Sequence, residues 1–342
     1  MWKPPKRHIL RTRSERPMER KLPVIKGLAA LFAAGLIAVP GAATTGDPAP
    51  SAPETIQGNR DINKRLTVPV TIDGGGTYQF VVDTGAERTV LSRELAERLT
   101  LVPAAPVTLL SIAGEDQVAT AIVPGLHLTA SRSRMEAFEA PLLSEFHLGA
   151  VGMLGIDSLQ TKRVVLDFRA MRMSISEAPR STRVATDEIV VTARRRLGQL
   201  ILVDAEAEGQ KVNVIIDTGS AVSIGNPALR ERLERRKRLG PVVPISITSV
   251  TGGQTPADYS SVHEIRIGGV TLKDMPIAFA DAQIFHRLGL DNRPSVLLGM
   301  DALRLFDRVS IDFANRNVRF LMPGDAWQVA PPQLAGMVPH RG

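Results

Sequence analysis

The chain of 342 residues has no cysteine. Disulfides, thiol nucleophiles and thiolate metal sites are excluded together. Aromatic residues make up only 4%, which argues against the stacking platforms that bind single-stranded nucleic acid. The six histidines (8, 127, 147, 263, 286 and 340) lack the spacing of a ligand set, so no metal is expected. No cofactor fingerprint is present either. Glycines 74–76 are not followed by a helix opening with Lys-Ser or Lys-Thr, so they do not form a phosphate loop.

A surplus of charge is also missing from most of the chain. The formal net charge is +7. Residues 1–26 carry nine Lys or Arg against Glu15 and Glu19, which accounts for all of it; the remaining 33 basic and 33 acidic residues cancel. The folded part therefore has no overall field with which to attract phosphate, and no nucleic-acid partner is expected. The run Arg230, Arg232, Arg235, Arg236, Lys237 and Arg238 is interleaved with Glu231 and Glu234 and reads as a solvated helix face.

The basic segment is followed by an apolar run over 27–39 and then Pro40-Gly41-Ala42-Ala43, the layout of a secretory signal peptide. Residues 1–43 are read as that leader, cleaved after Ala43, with Met18 an alternative start. An uncleaved membrane tether through 27–39 is the other reading. The run is short for a bilayer span, and no later segment is long and apolar enough for one. The protein is expected to be exported, periplasmic or secreted. Residues 44–60, rich in Pro, Ala and Ser, read as a flexible linker, and 323–342 as a flexible tail.

Between them the chain repeats itself. Each copy opens with a strand, a glycine turn and a second strand: 66–72, 73–76 and 78–82 in the first, 200–207, 208–210 and 212–216 in the second. The flanking runs are β-branched and alternating, so both read as hairpins. The second strands lead into Asp83-Thr84-Gly85-Ala86 and Asp217-Thr218-Gly219-Ser220. A short helix follows in each copy, capped by Ser92 over 93–99 and by Asn226, with Pro227 in its first turn, to about 236. Glycine turns come next, at 111–115 and 249–253. Each copy then closes on an apolar pair before glycine, Met153-Leu154-Gly155-Ile156-Asp157 and Leu297-Leu298-Gly299-Met300-Asp301. Many short strands with one principal helix per copy predict two all-β, barrel-like domains, 61–182 and 183–322.

A strand ending in Asp-Thr-Gly, paired with a distal apolar-apolar-Gly element, resembles the retropepsin family of aspartic peptidases. The resemblance covers both copies. It implies an intramolecular pseudo-dimer, monomeric as a chain, with Asp83 and Asp217 forming one catalytic pair and no cofactor. It further implies that Thr84 and Thr218 hydrogen-bond across to the opposite loop, with Gly85 and Gly219 at the loop centres. Gly155 and Gly299 would give the chain room to cross, and Gly114, Gly252 and Gly253 would mark flaps. The chemistry suits these residue types. Two carboxyl groups in contact cannot both ionise cheaply, so together they offer a base and an acid.

The expected function is endoproteolysis of a protein or peptide substrate. The alternative is a peptide-binding or scaffolding module that keeps the fold without cutting. Asp157 and Asp301 are read as structural, and Asp167 and Asp312 as surface or turn-facing.

Overall fold

A hairpin leading to an acidic loop organises each copy. The computed structural model describes residues 52–129, 131–132, 134–159, 162–178 and 188–323, with the backbone of 338–339. In the first copy Leu66–Ile72 pairs antiparallel with Gly76–Val82, from Thr67↔Val81 to Ile72↔Gly76. Gly74 and Gly76 close the turn at φ +72° and +100°, where a side chain would be strained. Val68, Val70 and Ile72 point into the core along one face of the first strand.

The second copy differs from the single strand predicted over 200–207. Gln199–Leu202 pairs with Asn213–Ile216, whereas Ala205–Ala207 pairs with Gln254–Ile267 and Gln210–Lys211. The chain breaks at Val203-Asp204, so one apolar run serves two strands with different partners. Periodicity alone does not reveal such a break, because both halves remain apolar.

The two capped helices form as read, over Arg93–Arg98 and Pro227–Arg235. Ser92 Oγ accepts from the Leu95 N–H at 3.0 Å, and Asn226 Oδ1 from the Leu229 N–H at 3.0 Å. On the second helix Arg230 pairs with Glu234 and Asp258, in keeping with a solvated, charge-balanced face.

The copies are joined by a six-stranded antiparallel region with the order Glu54–Gln57, Arg172–Glu177, Lys162–Asp167, Arg308–Asp312, Asn317–Leu321, Glu188–Arg196. Its register is symmetric. Arg163 faces Asp312, Asp167 faces Arg308, and Val165 and Ser310 meet between them. A local two-fold therefore passes through the centre of this sheet, as the pseudo-dimer requires. Both copies belong to one compact unit, Ala49–Gly342.

Three readings of the sequence need correction or qualification here. Within the supposed linker 44–60, Glu54–Gln57 is a strand paired to Arg172–Glu177, with Ile56 only 1% exposed. It is the first copy's counterpart of Glu188–Arg196. Composition hid it because four residues are too few to show a period. Asp167 and Asp312 do face turns, but they are buried, at 8% and 1% exposure. Asp167 accepts from the Ala170 N–H at 2.7 Å and Asp312 from the Asn315 N–H at 2.8 Å, so each closes the hairpin that follows its strand. Within the supposed tail, Val338–Pro339 pairs with Val243–Thr248. The leader 1–43, the junction near 179–187 and residues 324–337 lie outside the described residues. Among the described residues no helix is long and apolar enough to cross a membrane.

Candidate active site

The acidic loops hang from parallel strand pairs. Gly152–Leu154 runs parallel to Gly76–Val82, and Ser295–Leu298 parallel to Asn213–Ile216. The Asp83 N–H donates to Leu154 O at 2.9 Å, and the Asp217 N–H to Leu298 O at 3.1 Å. The distal apolar pair of each copy thus carries the carbonyl that anchors its aspartate. The glycine after each pair is required by contact. A Cβ on Gly155 would lie 2.5 Å from the Arg88 backbone, and one on Gly299 would collide with Val222.

The loops are locked to each other. Thr84 Oγ1 donates to Ile216 O at 2.9 Å and accepts from the Thr218 N–H at 3.1 Å. Thr218 Oγ1 donates to Val82 O at 2.6 Å and accepts from the Thr84 N–H at 3.1 Å. All four bonds cross between copies, and both side chains are buried. Buried and water-excluded, such bonds hold the loops in a single register.

The result brings Asp83 and Asp217 together. Asp83 Oδ1 accepts from the N–H groups of Gly85 and Ala86, at 2.7 and 3.0 Å. Asp217 Oδ1 does the same with Gly219 and Ser220, at 2.9 and 3.1 Å. Each glycine lies against the opposite carboxylate. A side chain at Gly85 would stand 2.5–2.7 Å from Asp217, and one at Gly219 would collide with Asp83. The two carboxyl groups are thus close enough for each to affect the other's ionisation. Burial pushes both upward from the ordinary carboxylate range; Asp217, raised further by the charge of Asp83, reaches about 8. One proton shared at neutral pH follows from this.

Sequence reasoning missed two residues behind the loops. Thr89 donates through N–H and Oγ1 to Asp157, both at 2.8 Å. Ser223 donates likewise to Asp301, at 2.9 and 2.6 Å. Their hydroxyls accept from the N–H groups of Gly155 and Gly299. These contacts give Asp157 and Asp301 a structural role. The signal was available: Thr89 and Ser223 each stand six positions after their aspartate.

Two hairpins cover the pair. Val102–Ser111 with Gly114–Val123, and Val243–Thr248 with the start of Gln254–Ile267, bring Gly114, Gly252 and Gly253 to their tips. The tips meet, with Thr251 Oγ1 donating to Ser111 Oγ at 3.3 Å. Each also reaches the other copy. Ile112 packs against the apolar cluster that contains Ile201, Ile215, Phe285 and Leu297, while Val250 packs against the one that contains Val81, Val90, Leu143 and Met153. Beneath them lies a cleft of about 460 Å³ with Asp83 and Asp217 in its lining. Its sides are unequal. The first loop continues into Glu87 and Arg88, with Glu87 accepting from Arg287 at 2.6 Å, and the second into Ala221 and Val222. Among the described residues no group of three or more metal-ligating side chains occurs.

The model of the aspartyl protease family matches twice, over 68–158 and 203–302. A search of curated proteins finds no match. The two matched segments include both acidic loops, both flap tips and both distal glycine elements, and the chain belongs to the retropepsin-like aspartyl protease family.

Proposed function

We propose that the chain is an aspartic endopeptidase that cleaves protein or peptide substrates by activating water between Asp83 and Asp217. The observation that supports this best is the facing of the two carboxyl groups. They are set by backbone N–H donors, each with the other copy's loop glycine against it, and placed under two flaps along a cleft.

In the proposed reaction the ionised carboxylate takes a proton from water as the water oxygen bonds to the scissile carbonyl carbon. The protonated carboxyl gives its proton to the carbonyl oxygen, leaving a neutral tetrahedral diol. On collapse, a diol hydroxyl returns its proton to one carboxylate and the other carboxyl protonates the departing nitrogen as the C–N bond breaks. The pair ends with the single proton it began with. No cofactor enters. The leader supports export, and we place the activity outside the cytoplasm with the chain acting as a monomer.

The test is incubation of the purified protein and its Asp217→Asn variant with a mixed peptide library from about pH 4 to 8, with products read by mass spectrometry. Cleavage by the wild type alone is the expected result. A folded wild type that binds peptides and yields no product would leave a binding module as the function.

A further inference from the structure

The two copies hold their acidic loops by residues that are equivalent in position and different in charge. Register defines the equivalence. Thr67 pairs with Val81, and Ile201 with Ile215, each partner standing two residues before its aspartate. Arg65 and Gln199, two residues earlier, are therefore counterparts. Both reach across to the opposite loop. Arg65 Nη1 donates to Gly219 O at 3.2 Å, and Gln199 Nε2 donates to Gly85 O at 2.7 Å.

Gly219 is the glycine that lies against Asp83, and Gly85 the one that lies against Asp217. The guanidinium is thus on the Asp83 side of the pair and the neutral amide on the Asp217 side. Arg65 is firmly held, at 4% exposure. Its Nε donates to Asp61 at 2.7 Å, its backbone N–H donates to the same carboxylate at 2.7 Å, and Nη2 donates to Leu148 O at 2.5 Å.

We infer that Arg65 is a positioning residue that breaks the symmetry of the carboxyl pair, so that Asp83 is the member that ionises and Asp217 the one that keeps the proton. The inference rests on the peptidase reading for its consequence: Asp83 is then the base toward water and Asp217 the acid toward the carbonyl oxygen. Other charges near the pair do not supply the same bias. Asp157 and Asp301 stand at equivalent places behind the two loops. Glu87 is neutralised by Arg287 along the cleft. Arg88 turns away to donate to Glu139 O, and His147 lies under the second flap tip at Gly252. The second flap turn is uncharged, and in the first Glu115 and the adjoining Asp116 are exposed to solvent. The direction of the shift agrees: the positive charge of Arg65 draws Asp83 downward against its burial, while the charge of Asp83 drives Asp217 up.

The Arg65→Gln substitution gives the first copy the second copy's side chain and retains a donor for Gly219 O. Carbon-13 carboxyl NMR of Asp-labelled protein would follow both residues in wild type, Arg65→Gln and Arg65→Lys, with assignments from Asp83→Asn and Asp217→Asn. In the wild type Asp83 should ionise first. In Arg65→Gln its ionisation should move up by about one pH unit, and Arg65→Lys should stay near wild type. If the single Gln variant does not fold, Asp61→Asn with Arg65→Gln, which removes the ion pair as a whole, should move Asp83 in the same direction. Asp217 ionising first in the wild type, or an unmoved Asp83 in a folded variant lacking Arg65, overturns the inference. The titration needs no turnover, so its outcome is independent of the peptidase assay. In an active enzyme the acid limb of kcat/KM should move with Asp83; a purely structural role would lower activity equally across pH.

Discussion

Thr84 and Thr218 exchange their hydrogen bonds reciprocally, each backbone N–H donating to the other's hydroxyl at 3.1 Å while each hydroxyl donates to a strand carbonyl of the opposite copy. Neither threonine can be lost without orphaning a carbonyl and an N–H of the opposite copy. Because the bonds cross the local two-fold, the geometry of the aspartate pair and the cohesion of the two copies rest on the same atoms.

Thr84→Val or Thr218→Val should therefore destabilise the fold by about 2–3 kcal/mol, since each leaves a buried carbonyl and a buried N–H without a partner. Activity should fall at least about tenfold at 25 °C as the carboxyl groups drift from register. Thr→Ser keeps the hydroxyl and should retain most of both. Chemical denaturation and steady-state kinetics on the same preparations check this.

The raised Asp217 makes stability depend on pH in a definite direction. Its folded value lies near 8, above the ordinary 3.8, so the folded protein holds a proton that the unfolded chain releases. This contribution is fully present below about pH 4 and is lost as pH rises through 8. Asp217→Asn removes it. The variant should therefore gain more in thermal midpoint over wild type at pH 8.5 than at pH 4.5, by roughly 4 °C or more. Equal gains at both pH values would show that the proton is not held.

Closure of the flaps depends on small residues at their tips. A Cβ on Gly253 would come within 2.8 Å of the Ala113 Cβ. Gly253→Val should hold the tips apart, lowering kcat/KM at least about tenfold while leaving the thermal midpoint within a few degrees. Unchanged kinetics in this variant would remove the flaps from the mechanism.

Ile56 tests the strand that composition assigned to a linker. It is 1% exposed in the sheet that joins the copies. Ile56→Ala should cost about 2–4 kcal/mol in urea denaturation, where a linker residue would cost almost nothing.

The sequence alone determined the two repeats, the two Asp-Thr-Gly loops, the capped helices and the order of parts. These features are local. A hairpin, a cap or a strand-to-loop junction is written in neighbouring residues and repeats at matching positions in both copies. What it did not disclose lies across long separations. Glu54–Gln57 joins a strand more than 110 positions away, and only pairing, not periodicity, makes four residues a strand. Asp167 and Asp312 read as surface or turn-facing, and only the central sheet encloses them. Arg65 and Gln199 carry no motif, and they matter only once each loop's glycine is seated against the other copy's aspartate. Folding brings a fixed positive charge to one carboxyl of the pair and a neutral amide to the other. That asymmetry exists only in the tertiary structure, because the electrostatic interaction depends on distance in space and on burial, neither of which the order of residues records.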